Sequence, residues 1–320
     1  MTLQDRPTPS GIVAAAAAID PIFTHSPLIS NEAADEELGC RLFLKVETLN
    51  PVRSFKGRGP DWWFANLPAS DQAVVCASAG NFGQGVAYAA RRRGRKAIVF
   101  ASRHANAAKI AAIRRFGAEV IQEGDDFDAA KIEARAFAAR NGLVFVEDGD
   151  ERRIAEGAGT IAKEMTDALS ASAPLDSIVV PLGNGALLSG VGTWIRHAMP
   201  GCRIIGVVAE TAPSMKLSWE SGTVQSTDTA DTIADGIAVR EPVPYAISCL
   251  EGIVDEVVAV SEQALADALT FSSSRFGLVA EPAGSAGIAA IMTLASRFAS
   301  QRVGTILCGS NVRQDENGLL

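Results

Sequence analysis

The chain has 320 residues, 48% of them hydrophobic and 21% charged, and its formal net charge at pH 7 is −8. This composition excludes a disordered protein, and the length suits two lobes better than one core. The negative charge argues against nucleic-acid binding, which depends mainly on phosphate neutralisation. No apolar run approaches the length of a membrane span. We therefore expect a globular protein with neither a nucleic-acid nor a membrane partner.

The three histidines and five cysteines are scattered along the chain. No pair of histidines has metal-ligand spacing and no CxxC motif occurs, so the sequence predicts no metal site. An odd number of dispersed cysteines is typical of reduced thiols, which predicts a cytoplasmic protein. The alanine-rich stretch Val13–Ala18 is too short for a signal peptide and predicts a small amphipathic helix.

Apolar strands alternate with alanine-rich helices along the chain, which predicts parallel α/β sheets. The predicted elements of the first half are strands 41–47, 73–76, 96–100, 119–122 and 143–146, with helices ending at 93 and spanning 107–116 and 129–141. Those of the second half are strands 177–180, 203–208, 256–260 and 305–308, with helices 157–169, 262–275 and 285–300. The charged loop Glu147–Arg153 is the predicted exit from a smaller lobe. We therefore predict a large domain, residues 1–47 and 150–320, and a small domain, residues 48–149.

Three turns rich in small residues each follow a predicted strand. They are SAGNFGQG (Ser78–Gly85), PLGNGALLSG (Pro181–Gly190) and CGSN (Cys308–Asn311). Backbone N–H groups of the first turn can hold a carboxylate at a helix N-terminus. The second turn can wrap a phosphate, and the dipole of the following helix adds to the attraction. The sequence therefore predicts anion binding at two of these turns.

The second turn also imitates a dinucleotide-binding fingerprint, because a helix, a strand and Glu210 follow it. However, Leu188 stands where the third glycine of GxGxxG belongs. This mismatch disfavours a nicotinamide enzyme.

Lys56 stands in an unusual context, preceded by Phe55 and followed by Gly57 in the segment SFKGRG. A partly buried lysine has a lowered pKa and can form a Schiff base with a carbonyl group. A lone lysine is more often a solvated surface charge. The segment by itself leaves both interpretations open and favours the surface charge.

Five segments taken in order resemble the pyridoxal-phosphate enzymes of the tryptophan synthase β fold, fold type II. They are NPVRSFKGRG, SAGNFGQGVA, VVPLGNGALLSG, AEPAGSAG and ILCGSNV. Within this family the chain is most similar to the serine/threonine dehydratases, and the similarity runs from about Thr8 to Val312. The resemblance implies a two-lobed α/β enzyme with pyridoxal 5'-phosphate in the cleft. The large domain would bind the cofactor, the small domain would supply the substrate side, and the enzyme would be a homodimer.

The resemblance also implies roles for individual residues. Lys56 would form the imine with the cofactor and later move the Cα proton, while Phe55 would pack against the pyridine ring. Asn81 would hydrogen-bond the ring O3′. The substrate would be bound by Ser54, Ser78, Ala79, Gly80 and Asn81, and the cofactor phosphate by Gly183, Asn184, Gly185, Ala186 and Leu187. Gly236 would lie beside the cofactor, Glu281 near the ring or against the glycine loops, and Cys308 opposite the pyridine nitrogen.

Several of these roles have alternatives. Ser310 could replace Cys308 as the ring partner, and Glu281 could simply cap a helix. Arg58 could have the purely structural role of anchoring the loop that carries Lys56 by pairing with an acidic residue. Arg53 could be a surface charge or could bind a second substrate carboxylate.

The chain departs from the family pattern in the phosphate turn, which reads Gly183-Asn184-Gly185-Ala186 instead of four glycines, and at Val208, where cation-binding relatives have an acid. It also departs at four further positions. They are Gly57, Trp62, Trp63 and Phe82. We expect all four on the substrate side of the pocket, so the resemblance does not decide which amino acid is the substrate.

The expected reaction is the β-elimination of an L-β-hydroxy amino acid, such as threonine or serine, to a 2-oxo acid and ammonia. The alternatives are a β-replacement synthase or a racemase on the same fold, and a catalytically silent ligand-binding relative. A racemase commonly has a serine just before the Gly-Asn pair, where this chain has Ala79.

Overall fold

Two β-sheets form the framework of the protein, whose computed structural model describes residues 6–169 and 173–312. The strands of the larger sheet are β1 (Leu28–Ile29), β2 (Arg41–Val46), β7 (Ser177–Pro181), β8 (Arg203–Ala209), β9 (Glu256–Val260) and β10 (Arg302–Leu307). Those of the smaller sheet are β3 (Val74–Ala77), β4 (Ala97–Ala101), β5 (Glu119–Gln122) and β6 (Val144–Phe145). The spatial orders are β1-β2-β10-β7-β8-β9 and β5-β4-β3-β6.

All pairs of neighbouring strands are parallel except β1 with β2. This confirms the predicted parallel α/β architecture. Helices cover the sheets, as parallel sheets require because both of their faces are apolar. Residues 1–5, 170–172 and 313–320 of the predicted large domain lie outside the described residues.

Twelve α-helices occur within the described residues. They are α1 (Pro9–Ala18), α2 (Glu32–Leu38), α3 (Arg58–Ala65), α4 (Asn81–Arg92), α5 (Ala107–Arg115), α6 (Phe127–Arg140), α7 (Arg152–Ala168), α8 (Ala186–Ala198), α9 (Ser214–Ser221), α10 (Pro244–Leu250), α11 (Glu262–Phe276) and α12 (Pro282–Thr293). Short 3₁₀ turns occur at Phe55–Gly57, Asp235–Ile237 and Ala295–Phe298. Across these ranges no helix has the length and apolarity needed to cross a bilayer.

Three helices differ from their predicted bounds by more than two residues. Helix α7 begins at Arg152 rather than at 157, because its charged first turn was interpreted as a loop although Ile154 is buried. Helix α12 begins at Pro282, where proline suits a first turn, and ends at Thr293 rather than at 300. The predicted helix at Val13–Ala18 is the second half of α1, which buries Ile12 and Ala15 on one side.

The carboxyl ends of three strands carry the three turns singled out in the sequence. Strand β3 leads into Ser78–Gly80 and α4, β7 into Gly183–Gly185 and α8, and β10 into Cys308–Asn311. The loop after β2 lies beside β10, since Ser54 forms a bridge with Gly309 and the N–H of Phe55 donates to the carbonyl of Cys308 at 3.0 Å. Ligands of open α/β sheets bind at such strand ends, so the fold brings these segments to one place.

Candidate active site

A cavity of about 580 Å³ lies between the carboxyl ends of the two sheets. This volume suits a small ligand or cofactor. Fourteen of the fifteen predicted site residues line it: Phe55, Lys56, Ser78, Ala79, Gly80, Asn81, Gly183, Asn184, Gly185, Ala186, Leu187, Gly236, Glu281 and Cys308. The structure therefore brings together segments that are far apart in the sequence.

Lys56 lies in this cavity with its side chain only 15% exposed, and its Nζ forms an ion pair with Asp148. The same Nζ lies 4.7 Å from the ring centroid of Phe55 and 5.9 Å from that of Phe82. Helix α4 packs directly on the Lys56 backbone, because a Cβ atom at Gly85 would lie 2.1 Å from the Lys56 carbonyl oxygen. The lysine is thus partly buried, and its interpretation as a solvated surface charge is wrong.

Ser54 is the predicted site residue that does not line the cavity. It is fully buried, and its Oγ accepts a hydrogen bond from the Lys56 N–H at 3.3 Å. Its side chain caps the 3₁₀ turn that carries Lys56, and its role in substrate binding stays a prediction.

Arg58 anchors the loop that carries Lys56 through two ion pairs. Its guanidinium is fully buried and donates to Glu47 at 2.8 Å and to Glu164 at 2.6 Å. Burial opposes its charge, but the two carboxylates raise the pKa of Arg58 above its usual value. Burial likewise opposes the charge of Glu164, yet Arg58 and Lys45 lower its pKa to about 2. The prediction that Arg58 anchors this loop through acid pairs is confirmed.

The turn Gly183–Leu187 provides an anion cradle at the start of α8. Gly185 is the N-cap with φ of 87°, and no side chain caps the helix. The N–H groups of a first helical turn have no intrahelical partner, so they are free to bind an anion. A Cβ at Gly183 would lie 2.7 Å from the carbonyl oxygen of Gly236, which packs behind the turn. These features fit the phosphate of pyridoxal phosphate.

The turn Ser78–Asn81 forms the second anion-binding segment, at the start of α4. Its N-cap, Gly80, has no side chain, and no side chain caps this helix. The Ser78 Oγ accepts a hydrogen bond from the Gly80 N–H at 3.1 Å. Ala79 contributes only a methyl group to the cavity wall. The turn can therefore bind a carboxylate, but Ala79 cannot donate a proton.

Glu281 joins the Ser78–Asn81 turn to the Cys308–Asn311 turn. Its Oε1 accepts from Asn81 Nδ2 at 2.7 Å, and its Oε2 accepts from the Asn311 N–H at 3.0 Å. Asn311 Nδ2 in turn donates to Asn81 Oδ1 at 2.8 Å. Burial and the charge of Asp235 raise the pKa of Glu281 to about 7. Its side chain does not cap α12, so the helix-cap interpretation is wrong and the loop-supporting one is favoured.

Cys308 lines the cavity, whereas Ser310 and Arg53 do not. The Cys308 Sγ lies 3.3 Å from the Ile306 carbonyl oxygen, and burial raises the pKa of the thiol well above its usual value. Ser310 is buried, and its N–H donates to the carbonyl of Arg53, which is exposed with φ of 56°. The geometry thus favours Cys308 over Ser310, and the exposure of Arg53 outside the cavity lining favours its interpretation as a surface charge.

Of the four further residues that depart from the family pattern, only Phe82 lines the cavity. Gly57 packs against Phe23, where a Cβ would lie 2.2 Å from the ring. Trp62 Nε1 donates to Glu156 at 3.2 Å, and Trp63 is buried. The expectation that all four surround the substrate is therefore wrong, because α3 turns both tryptophans away from the cavity.

Sequence analysis gave no site role to eleven charged residues of the cavity wall, among them Lys109, Lys131, Asp148 and Arg240. Their signal was weak, since each stands among other charged or polar residues in a loop or helix. Asn311 was visible in the CGSN turn but was given no role. Within the described residues no group of three His, Cys, Asp or Glu side chains is arranged to hold a metal ion.

The fold and this site define a pyridoxal-phosphate-dependent enzyme of fold type II. Residues 19–309 match the family model described as "Pyridoxal-phosphate dependent enzyme", and the chain belongs to this family. The suspected family and cofactor are thereby confirmed.

Two related sequences and one solved structure show which members of this family the chain is similar to. The chain is 36% identical to an L-threonine ammonia-lyase of Thermotoga maritima over 89% of its own length and 71% of that protein. It is 33% identical to an L-threo-3-hydroxyaspartate ammonia-lyase of Pseudomonas sp over 94% of each chain. The crystal structure of a threonine deaminase from T.th. superposes with a TM-score of 0.91 at 30% identity, covering 97% of this chain and 100% of that one.

Proposed function

We propose that this enzyme eliminates water from an L-β-hydroxy amino acid such as threonine or serine, giving a 2-oxo acid and ammonia. The observation that carries the proposal is the placement of the Lys56 amine in one cavity with the two anion-binding turns. The similarity to L-threonine ammonia-lyase, over most of both chains, supports the same reaction class.

Each turn has a separate task in this proposal. The N–H groups of Gly183–Leu187 bind the cofactor phosphate, and those of Ser78–Asn81 bind the substrate α-carboxylate. Asn81 Nδ2, held by Glu281, sets the distance between the carboxylate turn and the cofactor side of the cavity. When bound, pyridoxal phosphate supplies a conjugated electron acceptor that stabilises negative charge at Cα.

Lys56 is the base in this proposal. Its free amine takes the proton from Cα, the Cβ–O bond breaks with its electron pair, and the hydroxyl leaves as water after gaining a proton. The released unsaturated amine takes up one water, so ammonia and the 2-oxo acid are the net products. A positioned general base contributes roughly 10²–10⁴-fold to such a step.

Cys308 contributes a neutral partner for the pyridine nitrogen in this proposal. Burial and the nearby charges of Glu281 and Glu47 raise the pKa of its thiol, so no thiolate forms at neutral pH. A thiol is only a weak donor and acceptor and cannot hold a proton on the ring as a carboxylate would. The ring then stays close to neutral, which favours prompt loss of a leaving group at Cβ.

We also propose that the enzyme is a cytoplasmic homodimer with two domains, residues 1–47 with 150–320, and residues 48–149. Five free, buried cysteines support a reducing compartment. The strands of the smaller sheet all fall between residues 74 and 145, which supports the domain division. The net charge of −8 supports the absence of a nucleic-acid partner. Sedimentation velocity and limited proteolysis test the dimer and the domain boundaries.

The test of the reaction is a product assay on the cofactor-loaded enzyme with L-threonine and L-serine. We expect 2-oxo acid and ammonia in equal amounts, with the D-amino acid as a minor product on chiral chromatography. Ala79 has no proton to return to Cα, which is why racemisation should be slow. Racemisation faster than elimination would refute the proposal, and an unchanged absorption spectrum on adding the cofactor would indicate a silent relative.

A further inference from the structure

We propose that Asp148 recognises the β-substituent of the substrate. It would restrict the enzyme to amino acids whose β-group is a hydrogen-bond donor, a hydroxyl or an ammonium, and would exclude those with a second carboxylate at Cβ. The inference rests on the proposed function, whose substrate class it narrows.

Asp148 is held in place from two sides. It lies in the loop between β6 and α7, is 8% exposed and lines the cavity. The next residue, Gly149, has φ of 89°, and a Cβ there would lie 2.2 Å from the carbonyl oxygen of Asn184. The Asp148 loop is therefore pressed against the phosphate-binding turn, while the Asp148 carboxylate contacts Lys56. Its position relative to both groups is fixed by backbone packing.

The Asp148 carboxylate needs a partner that the chain does not supply. Its Oδ2 pairs with Lys56, and its buried Oδ1 has no hydrogen-bond partner among the described residues. The Lys56 amine is bonded to the cofactor before the substrate arrives and acts as the base afterwards, so in neither state does it supply a partner for Oδ1. A buried carboxylate oxygen without a partner is costly, so it favours a ligand that brings a donor or a positive charge. The neighbouring Glu147, in contrast, is paired with Lys131 and Arg135.

The rest of the cavity wall disfavours an anionic β-group. Nine acidic and four basic side chains line the cavity. Apart from Lys56, each basic side chain of the wall already has an acidic partner: Lys109 pairs with Asp235, Lys131 with Glu147 and Asp128, and Arg240 with Asp128 and Asp126. A second substrate carboxylate would meet like charges without a free cation to bind it.

The first experiment compares kcat/KM for L-threonine, L-2,3-diaminopropionate and L-threo-3-hydroxyaspartate in the wild type, Asp148→Asn and Asp150→Asn. We expect the wild type to use the first two at least tenfold better than the third. Asp148→Asn should lower kcat/KM roughly 10- to 100-fold for diaminopropionate, which loses a charged hydrogen bond, and less for threonine. Hydroxyaspartate should gain relative to threonine, because the repulsion between Asp148 and its second carboxylate is removed. Asp150→Asn makes the same chemical change on an exposed residue outside the cavity and should keep the wild-type ratios.

The second experiment measures binding without turnover. In cofactor-loaded Lys56→Ala protein, calorimetry should give a lower Kd for L-2,3-diaminopropionate than for L-alanine, which has no β-group to donate. The Lys56→Ala, Asp148→Asn double variant should bind the two ligands equally. The Lys56→Ala, Asp148→Glu double variant should keep part of the preference for diaminopropionate, which a merely structural role of Asp148 would not explain.

The outcomes separate the two proposals. Unchanged substrate ratios and an unchanged binding difference in Asp148→Asn would overturn the role of Asp148 and leave the proposed function intact. If the wild type eliminates none of the three substrates, the proposed function fails, and the binding difference still decides whether Asp148 recognises the β-group. A preference of the wild type for hydroxyaspartate would overturn the inference directly.

Discussion

At the scale of single residues, the surroundings of Lys56 set it apart from the other lysines. Lys45 is buried in an ion pair with Glu164 at 2.7 Å, and Lys109 pairs with Asp235 at the cavity wall. Lys56 instead lies between two aromatic rings, beside Asp148 and within reach of both anion-binding turns. These neighbours keep its amine inside the cavity rather than in solvent.

Replacing Lys56 with alanine should abolish turnover, by at least about a thousandfold, because the base and the covalent attachment are both lost. The fold and phosphate binding should survive, since the cradle is formed by backbone groups. Borohydride reduction of the loaded wild type followed by peptide mapping should label Lys56. Lys96→Ala, at an exposed position, is the control and should retain activity and the label. A label on Lys45 or Lys109 would contradict the assignment.

The raised pKa of Glu281 has a consequence for stability. The carboxyl group has a pKa of about 7 in the folded chain against 4.5 as its ordinary value. The folded state therefore binds this proton more tightly than the unfolded state does. The stabilisation is complete below about pH 4.5 and is lost as the pH rises through about 7.

Glu281→Gln should remove this pH dependence. We expect the free energy of unfolding of the wild type, relative to the variant, to fall between about pH 4.5 and pH 7, by up to about 3 kcal/mol. Chemical denaturation of the cofactor-free proteins at several pH values measures the difference. A constant offset is expected from the changed hydrogen bond to Asn311, so only the slope is diagnostic. Parallel curves across this range would contradict the prediction.

At the scale of elements, three helices have a glycine N-cap and no side-chain cap, and two of them, α4 and α8, begin at the cavity. Gly185 precedes α8 and Gly80 precedes α4, and neither helix has a side-chain cap. Other helices are capped in the usual way, for example α6 by Asp126 and α11 by Ser261. The first-turn N–H groups of α4 and α8 are thereby left for ligands, which is why both helices begin at the cavity.

Gly185→Ala should weaken cofactor binding about tenfold or more. The residue has φ of 87°, and a Cβ would lie 2.8 Å from the Cβ of Ala246, so the turn must shift. Gly222→Ala is the matched control, because it has φ of 70° at a helix end with open space around it. Both variants should lose some stability, but only Gly185→Ala should raise the cofactor Kd in an absorbance titration. Equal Kd values would argue against the phosphate site.

At the scale of the whole molecule, the cavity is lined by segments that follow strands of both sheets, and ion pairs join these segments. Lys109 of α5 pairs with Asp235, and Arg240 donates to Asp128 of α6 at 2.8 Å. Both pairs link helices of the smaller sheet with the segment that follows α9. They therefore connect two sides of the cavity wall.

Removing both pairs with Lys109→Gln and Arg240→Gln should raise the substrate KM several-fold, because partly exposed pairs contribute roughly 0.2–1 kcal/mol each. The KM of the wild type should rise with salt, and this dependence should be much weaker in the double variant. Arg297→Gln removes a surface pair with Glu256 and should leave KM unchanged at all salt concentrations. The same salt dependence in wild type and double variant would show that these ion pairs do not affect substrate binding.

The sequence by itself determined the features that depend on neighbouring residues. Alternating strands and helices predicted parallel sheets, with strands 119–122 and 256–260 matched to the residue. The glycine turns at Ser78–Gly80 and Gly183–Gly185 were visible because their backbone geometry requires small residues over a few positions. Lys56 was recognised only through the order of five motifs, since its own segment favoured a surface charge.

The tertiary structure decided which distant residues meet. Asp148 lies 92 positions from Lys56, and Glu281 lies 200 positions from Asn81, yet both pairs are in contact. The same packing buried Ser54 outside the cavity lining and placed Trp62 against Glu156. Such contacts depend on how two sheets and their helices are placed relative to each other. Local propensity and periodicity do not encode that placement, because it results from burying apolar surface over the whole chain.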